Sequence, residues 1–404
     1  MHTHTFPSIL VPASLVLLAE KTAVLGGRLY LVGGAVRDHL LGIKPKDWDL
    51  ELHGIPPEKV QLICKTASPV GKSYGVWKVQ IQNEQESIEL DISIPIVSDK
   101  IEPYIGLEQA TLRRDLTINA IYYDLLSQEF LDPFGGINDL QNKVLKSPCS
   151  TNISKDPLRV FRVARFASVF SFTPCSDLIL SGQSLSQEQL NFIAGERITM
   201  ELNKIFLKSP APSKGFKWLK QLKVMERLFP EWNIDPCFNA LDKGAAVKIP
   251  YPQKLTLMWS IALSHTPTKH QESILDQCFL HTIERYPMRT FVFKSSSVWK
   301  KLELPCSDKE LFLLAEELEL RLLCLLADSF NATAAQTNLS KAIELGVEQN
   351  PLPALLQGRH FQKSGIHGKA IGEGLRELRK AQFEGKVRTF TDAQNWLTEY
   401  SSNL

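Results

Sequence analysis

The chain has 404 residues, of which 44% are apolar and 22% are charged, and its formal net charge is +2. This composition excludes disordered, collagen-like and coiled-coil proteins. Because the net charge is close to zero, any nucleic-acid partner must be bound by a local basic patch. A chain of this length is too long to fold around one hydrophobic core, so we expect several modules in succession.

Neither export nor membrane anchoring is expected from the N-terminal sequence. Its apolar stretch follows no basic segment, and Pro12 and Glu20 bound it far short of a bilayer span. The seven cysteines are scattered and form no CxxC pair, which favours reduced thiols over a disulfide framework or a zinc cluster. These features predict a cytoplasmic protein.

Residues 29–32, LYLV, predict a short buried strand that runs into Gly33 and Gly34 and then into a short helix closed by Gly42. Backbone amides in a glycine turn before a helix form an anion-binding cradle. Arg37 lies in the first turn of that helix. The segment is therefore a candidate site for a triphosphate.

An acidic pair follows in the segment KDWDLELHG, which predicts a half-buried strand with Asp47, Asp49 and Glu51 on one face. VWKVQIQ and SIELDISIP have the same period and are its predicted sheet partners. Side chains two residues apart on a strand leave the same face, so Asp47 and Asp49 can converge on a divalent cation. A third carboxylate is expected from SIELDISIP, with Asp91 first and Glu89 as the alternative. Taken alone, such acids are also typical of exposed strand edges and strand ends.

The pattern beyond Pro148 changes to helical periodicity, with little strand signal afterwards. Pro, Ser and Lys cluster in KSPCSTNISKDP and KSPAPSKG, which are candidate joints. The predicted divisions are an N-terminal extension (1–24), a mixed head (25–148), a helical neck (149–208), and a helical body and tail (209–404).

The neck opens with KDPLRVFRVARF, where Asp156 before a proline predicts an N-cap and a helix start. Arg159, Arg162 and Arg165 recur every third residue, so they share one broad face of that helix. From the residues alone, these arginines pair with carboxylates of the head, and Asp156 is only a cap.

The segment LVGGAVRDHLLGIKPKDWDLEL resembles the signature of the class II (bacterial-type) tRNA nucleotidyltransferase and poly(A) polymerase family. The resemblance implies an α+β fold, with a polymerase-β-like nucleotidyltransferase head followed by an all-helical neck, body and tail. It also implies that Asp47 and Asp49 bind magnesium and that Gly34 and Arg37 contact the nucleotide, together with the amides of Gly33.

Later segments are similar to further motifs of this family, in the same order. LRRDLTINAIYYD matches the second motif, which implies a nucleotide contact for Arg114 and places Asp115 and Asn119 in the core of the nucleotide-binding motif. ERITMELNKIF matches a motif that braces the neck, with Glu196 and Arg197 as structural ion-pair members.

KDPLRVFRVARF resembles the EDxxR motif, in which an acidic residue and an arginine hydrogen-bond the Watson–Crick edge of the incoming base. By match these are Asp156 and Arg159, while Arg162 and Arg165 contact the nucleotide. Lys155 stands where the family usually has Glu, which reverses a charge beside the base pocket.

The function implied is template-independent addition of CCA, from CTP and ATP, to the 3′ end of tRNA. Mg²⁺ is the expected cofactor, held in a two-metal phosphoryl transfer by Asp47, Asp49 and Asp91. Alternatives are poly(A) addition, A-only or CC-only addition, and a non-catalytic RNA-binding protein. No membrane and no stable protein partner are expected.

A basic, aromatic segment offers a face for RNA. Lys214, Lys217 and Lys220 interleave with Phe216 and Trp218, which fits contact with an RNA backbone. The solvent-exposed face of an ordinary amphipathic helix has the same pattern.

Overall fold

The computed structural model describes residues 7–45, 47–70, 75–82, 87–98, 100–280 and 285–403. The chain forms two compact units, of which unit 1 is Met1–Ile205 with Lys214–Pro230 and unit 2 is Phe206–Ser213 with Glu231–Leu404. Unit 1 contains the predicted head and most of the predicted neck.

Unit 1 is built on a mixed seven-stranded sheet in the order β3-β4-β5-β2-β1-β8-β9. Neighbouring strands are antiparallel except β2 and β5, which are parallel. An antiparallel ribbon of β6 and β7 and a parallel pair of β10 and β11 complete the strands. The strands are β1 Arg28–Val32, β2 Asp49–His53, β3 Ser68–Val70, β4 Val76–Gln82, β5 Ser87–Ser93, β6 Ile96–Val97, β7 Lys100–Ile101, β8 Tyr122–Asp124, β9 Phe130–Leu131, β10 Val144–Leu145 and β11 Thr173–Pro174.

The strand predictions are confirmed in position and wrong in one aspect of burial. The segment VWKVQIQ forms β4, and SIELDIS forms β5. Alternation of polar and apolar residues predicted a half-buried β2, but Glu51 is 0% exposed and His53 is 8% exposed. The polar face of β2 is therefore covered by protein after Asp49, because other polar side chains meet Glu51 there.

The helices of unit 1 lie around this sheet and continue into the neck. They are α1 Ala13–Val24, α2 Gly34–Leu40, α3 Val60–Ile63, α4 Leu107–Thr111, α5 Gly136–Gln141, α6 Asn152–Lys155, α7 Arg159–Phe170, α8 Ser176–Gln183, α9 Gln187–Asn191, α10 Gly195–Lys208, α11 Pro212–Gln221 and α12 Met225–Leu228, with 3₁₀ turns at Pro57–Lys59 and Thr117–Asn119. The helix α10 crosses the boundary between the two units.

The predicted N-terminal extension contains a core helix. In α1, Leu15, Leu18 and Ala19 are at most 5% exposed. The apolar stretch seen in the sequence is thus the buried face of a helix of unit 1. Its function in the fold is packing, since burying an aliphatic side chain contributes about 2 kcal/mol.

Two predictions for the neck need correction. The neck is not entirely helical, because Thr173–Pro174 forms β11 and pairs with β10. The helix expected to start at Asp156 is α7, which begins at Arg159 with no side-chain cap. Beyond the neck, the predicted helical pattern of the body is interrupted between α11 and α12, where Lys223 has φ of 57°.

Unit 2 is all helical in its described part. Its helices are α13 Phe238–Ala246, α14 Gln253–Leu263, α15 Thr268–Gln277, α16 Met288–Val298, α17 Asp308–Ala315, α18 Leu320–Ser329, α19 Ala335–Glu344, α20 Gly358–Lys363, α21 Lys369–Phe383 and α22 Phe390–Ser402, with 3₁₀ turns at Asp235–Cys237 and Trp299–Glu303. Every residue of α14 from Leu255 to Leu263 is buried, so this helix forms the centre of the unit. Across the described ranges, no helix is long and apolar enough to cross a membrane.

Candidate active site

A glycine turn connects β1 to α2 at the centre of the sheet. Gly33 has φ of 68°, a backbone conformation that favours glycine. A Cβ atom on Gly33 would lie 3.6 Å from Oδ2 of Asp49, so the turn runs directly beside the acidic pair. As predicted, Gly42 closes the helix just after its last residue, with φ of 73°. Its amide donates to the carbonyl of His39, and Ile43 N–H donates to the carbonyl of Asp38.

The predicted acids lie at the edge of one cavity. Asp49 on β2 is the direct partner of Asp91 on β5 in the parallel register, and Asp47 immediately precedes β2. Asp47, Asp49 and Asp91 all line a cavity of about 560 Å³. The alternative residue Glu89 lies one alternation further along β5 on the same wall.

The pKa of Asp49 is set by burial and by neighbouring charges of both signs. The protein around it displaces water and so raises its pKa above the usual range, and the Asp91 and Asp47 carboxylates raise the pKa further, while Arg114 lowers it. The described residues form no ion pair with Asp47, Asp49 or Asp91. A cation bound here would relieve the repulsion among the three carboxylates.

Arg114, the arginine of the second motif, forms an ion pair with the buried carboxylate of Glu51. Nη2 of Arg114 donates to Oε2 of Glu51 at 2.5 Å, and Oε1 accepts from Tyr122 OH at 2.7 Å and lies 3.0 Å from His53 Nε2. Burial would raise the pKa of Glu51, but Arg114 and these hydrogen bonds lower it to about 2. Glu51 therefore stays ionised, and Arg114 is fixed between Glu51 and the glycine turn, with Nη1 4.0 Å from a Cβ built on Gly33.

A chain of hydrogen bonds joins α2 to α7. Nη1 of Arg37 donates to Oδ1 of Asn119 at 2.7 Å, and the Asn119 amide donates to Asp115 at 3.0 Å. Asp115 in turn accepts from Nε of Arg162 at 2.7 Å. The structure thus brings together four of the predicted nucleotide-binding residues on three separate segments. Arg37 also pairs with its neighbour Asp38 at 2.6 Å.

One aromatic ring packs against three of these arginines. The guanidinium carbons of Arg165, Arg37 and Arg162 lie 4.3, 5.2 and 5.7 Å from the ring centre of Phe166. Distances of this size are those of cation–π contacts. Arg165 is also 3.2 Å from the buried carboxylate of Glu201. Burial lowers the pKa of Arg165 to about 10, so its guanidinium remains charged at neutral pH.

The predicted base-reading pair is engaged with protein partners. Arg159 donates to the carbonyl oxygens of Arg113 and Arg114 at 2.6 and 3.4 Å. The Asp156 carboxylate accepts from Arg197 at 3.2 Å and does not cap α7, so the predicted N-cap is wrong. Arg197 thus forms the ion pair expected of it, but its partner is Asp156.

The three lysines proposed for RNA contact lie on the exposed side of α11. Phe216 and Leu219 are buried on the opposite side, and Lys214 donates to Ser171 Oγ at 3.0 Å. Lys217 and Lys220 are exposed as well. Their contact with RNA stays a prediction.

Several site residues were missed by the sequence reasoning. Glu51 was assigned only to the open face of a strand, and Tyr122, Phe166 and Glu201 were given no role. The alternation in β2 contained a signal for Glu51, because a third acid in register with Asp49 requires a partner if that face is covered. The partners themselves come from distant segments, which no local pattern identifies.

Parts of the chain are similar to known protein families and to curated proteins. Residues 29–146 match the family described as "Poly A polymerase head domain", and residues 183–235 match "Probable RNA and SrmB- binding site of polymerase A". The chain is 36% identical over 224 residues to a Multifunctional CCA protein of Haemophilus ducreyi, covering 53% of each sequence. A Multifunctional CCA protein of Actinobacillus pleuropneumoniae is 35% identical over 215 residues, covering 51% of each. The chain therefore spans about half the length of the curated relatives it matches.

Solved structures show the same fold over nearly the whole chain. The CCA-adding enzyme of Bacillus stearothermophilus in complex with CTP superposes with a TM-score of 0.73 at 21% identity, covering 97% of this chain and 98% of that one. The Thermotoga maritima CCA-adding enzyme complexed with tRNA gives a TM-score of 0.64 at 21% identity, covering 97% and 96%. The predicted fold, a mixed nucleotidyltransferase head followed by a mainly helical remainder, is confirmed. Over residues 29–146 and 183–235 the chain is thus similar to the poly(A) polymerase family, and its overall fold is that of the solved CCA-adding enzymes.

Proposed function

We propose that this chain is a template-independent nucleotidyltransferase that adds C and A, from CTP and ATP, to the 3′ end of tRNA. The observation that carries the proposal is the register of Asp49 against Asp91, at a cavity that begins beside the glycine turn. The names of the curated relatives and of the solved structures support the choice of CCA addition.

The residues on the glycine-turn side supply guanidinium groups for the triphosphate. Arg37, Arg162 and Arg165 present guanidinium groups around one ring, and Arg114 lies between Glu51 and Gly33. Guanidinium groups bind phosphate oxygens through paired N–H donors. In phosphoryl transfer such groups act by positioning the nucleotide and offsetting its negative charge.

The acids fit a hard divalent cation, and Mg²⁺ is the proposed ion. In the ranges that the structure describes, no three His, Cys, Asp or Glu side chains are arranged to hold a metal by themselves. Mg²⁺ in enzymes is commonly bound by one or two carboxylates together with waters and substrate phosphates. Asp49 and Asp91 would supply those carboxylates, with Asp47 at the same cavity, and the ion would supply Lewis-acid stabilisation of charge on the transferring phosphoryl group.

Base selection is assigned to Asp156 and Arg159. Both groups make hydrogen bonds to protein in this structure, Asp156 to Arg197 and Arg159 to two backbone carbonyls. Pairing with a base would exchange those partners for the Watson–Crick edge of the nucleotide. Lys155 lies next to Asp156 on an exposed turn of α6, so its charge also acts on this pocket.

Extension of RNA tests the proposal directly. The protein is incubated with labelled CTP or ATP, Mg²⁺, and tRNA that lacks one, two or three terminal nucleotides. We expect addition that stops when CCA is complete. Asp49→Asn should reduce nucleotide incorporation by about 10³-fold or more, because the divalent cation loses one charged ligand. The far-ultraviolet circular dichroism spectrum should be unchanged. Near-normal turnover by Asp49→Asn would contradict the proposal.

Poly(A) addition is the second candidate, because both matched family descriptions refer to poly(A) polymerase. The same gel separates the two functions. A poly(A) polymerase would extend RNA with ATP alone to a long ladder, and it would not require the tRNA fold. A protein that binds tRNA but adds no nucleotide would be the non-catalytic alternative.

A further inference from the structure

The cavity beside the acids extends across the open face of the sheet, away from the glycine turn. Beyond Asp49 and Asp91 it is lined by Ser68 on β3 and by Lys78 and Gln80 on β4. The opposite face of β4 is buried, with Trp77 and Val79 at most 7% exposed. This polar groove, lined by Ser68, Lys78, Gln80, Asp49 and Asp91, is defined by strand register and is continuous with the acids.

Lys78 is the basic residue on the described wall of this groove, and its cross-strand partner is Asp91. The next pair in the same register, Gln80 and Glu89, is joined by a hydrogen bond of 3.4 Å. Lys78, in contrast, forms no ion pair with any residue that the structure describes. Its ammonium group and the Asp91 carboxylate are therefore both available to other groups.

The strand order fixes which ligand lies on this side. In the sheet, where the strand order is β3-β4-β5-β2-β1, the acids on β5 and β2 lie between Lys78 on β4 and the glycine turn that follows β1. In phosphoryl transfer the attacking and leaving oxygens are roughly in line on opposite sides of the phosphorus. If the triphosphate lies with the arginines on the glycine-turn side, the attacking 3′-hydroxyl must arrive from the β4 side.

We propose that the polar groove is the subsite for the last nucleotides of the RNA acceptor and that Lys78 binds one of their backbone phosphates. The inference rests on the proposed nucleotidyltransferase function. A lysine beside Asp91 holds an anionic strand next to an acidic cavity that would otherwise repel it. Lys78 is thus an acceptor-binding residue, and the arginines serve the incoming nucleotide.

The test is steady-state kinetics of Lys78→Gln on tRNA that lacks its last nucleotide, with RNA and nucleotide varied in turn. We expect the KM for RNA to rise about tenfold, as for loss of one charge-assisted hydrogen bond at a partly exposed site. The KM for the nucleotide should stay within about twofold, since uniform loss of acceptor binding does not involve the nucleotide. The slope of log KM for RNA against log salt should fall by about 0.7, the value for one phosphate contact on a single strand.

Two control variants accompany it. Lys78→Arg keeps the charge and should retain most of the RNA affinity. Lys59→Gln removes one positive charge from an exposed position outside the groove and should change neither KM.

The outcomes separate the inference from the proposed function. If the wild-type protein adds no nucleotide to RNA, the proposed function is wrong and the inference falls with it. If the wild-type protein is active but Lys78→Gln has the wild-type KM and salt slope for RNA, only the inference is overturned. A raised KM for the nucleotide with an unchanged KM for RNA also overturns it, because Lys78 would then serve the triphosphate.

Discussion

The buried pair of Glu51 and Arg114 gives the sharpest test of how the site is held together. Glu51 is 0% exposed and receives Arg114 on one oxygen and Tyr122 on the other. In Glu51→Gln an amide N–H₂ must replace one of these oxygens. If the new amide group faces Arg114, its N–H donors oppose those of the guanidinium. If the amide group faces Tyr122, the tyrosine hydroxyl must rotate so that its oxygen accepts a hydrogen bond from the amide. In either case the guanidinium loses its counter-charge, and breaking a buried pair in this way costs about 3 to 5 kcal/mol.

Hydrogen exchange measures this cost locally, which matters because a chain of two units does not have to unfold in one step. Peptides that cover β1, β2 and β8 should exchange at least about 100-fold faster in Glu51→Gln, since each factor of ten corresponds to about 1.4 kcal/mol. Peptides from α14 in unit 2 are the internal control and should not change. Exchange of β2 within threefold of the wild-type rate would refute the reasoning.

A double variant distinguishes charge from packing. Glu51→Leu with Arg114→Met removes both charges and replaces them with apolar groups, so much of the lost stability should return. Nucleotide addition should not return with it, because Arg114 is assigned to the nucleotide. Recovery of both properties would show that Arg114 has only a structural role.

Three further changes have defined outcomes. Phe166→Leu removes the ring beneath three arginines and should raise the KM for CTP about tenfold, as expected for roughly 1 to 2 kcal/mol of cation–π energy. Phe172→Leu changes another buried aromatic residue and should leave the KM for CTP unchanged. Equal effects of the two substitutions would argue against a role for the Phe166 ring. Gly136→Ala places a Cβ 2.2 Å from the carbonyl oxygen of Thr117 and should destabilise unit 1 by about 3 kcal/mol. The thermal unfolding midpoint should fall, and an unchanged midpoint would contradict the close approach of the two segments. Removal of divalent cations with EDTA should abolish addition and leave the circular dichroism spectrum intact, and Mg²⁺ should restore it.

The sequence predicted the elements of the head because their signals are local. β5 alternates polar and apolar residues over seven positions and β4 over the six from Trp77 to Gln82, and the turn at Gly33 needs a residue that tolerates positive φ. Asp91 was also predicted to join Asp49, since both acids lie in strands of the same period, whereas their parallel pairing and register come from the structure. The predicted features depend on the chain within a few residues of each acid.

The interior partners of the site could not be predicted in the same way. Glu51 is buried because Arg114 and Tyr122, more than 60 residues away in sequence, approach it. Asp156 has the pattern of an N-cap, yet Arg197 on α10 takes its carboxylate. In both cases the partner comes from a distant segment, so only the packing of those segments decides it.

The distribution of charge fits the proposed function, in which one site holds both anions and a cation. The arginines beside the glycine turn pair with carboxylates outside the cavity. Asp38 pairs with Arg37, Asp115 with Arg162 and Glu51 with Arg114, while Glu201 is shared by Arg165, Arg162 and Lys204. Without those partners the guanidinium groups would be attracted to the acids of the cavity and would neutralise them. Because the arginines are tied elsewhere, the cavity acids remain unpaired across the described residues, and the two regions of opposite charge persist side by side. This separation fits the proposed function, in which guanidinium groups offset the charge of the triphosphate while the carboxylates bind the cation.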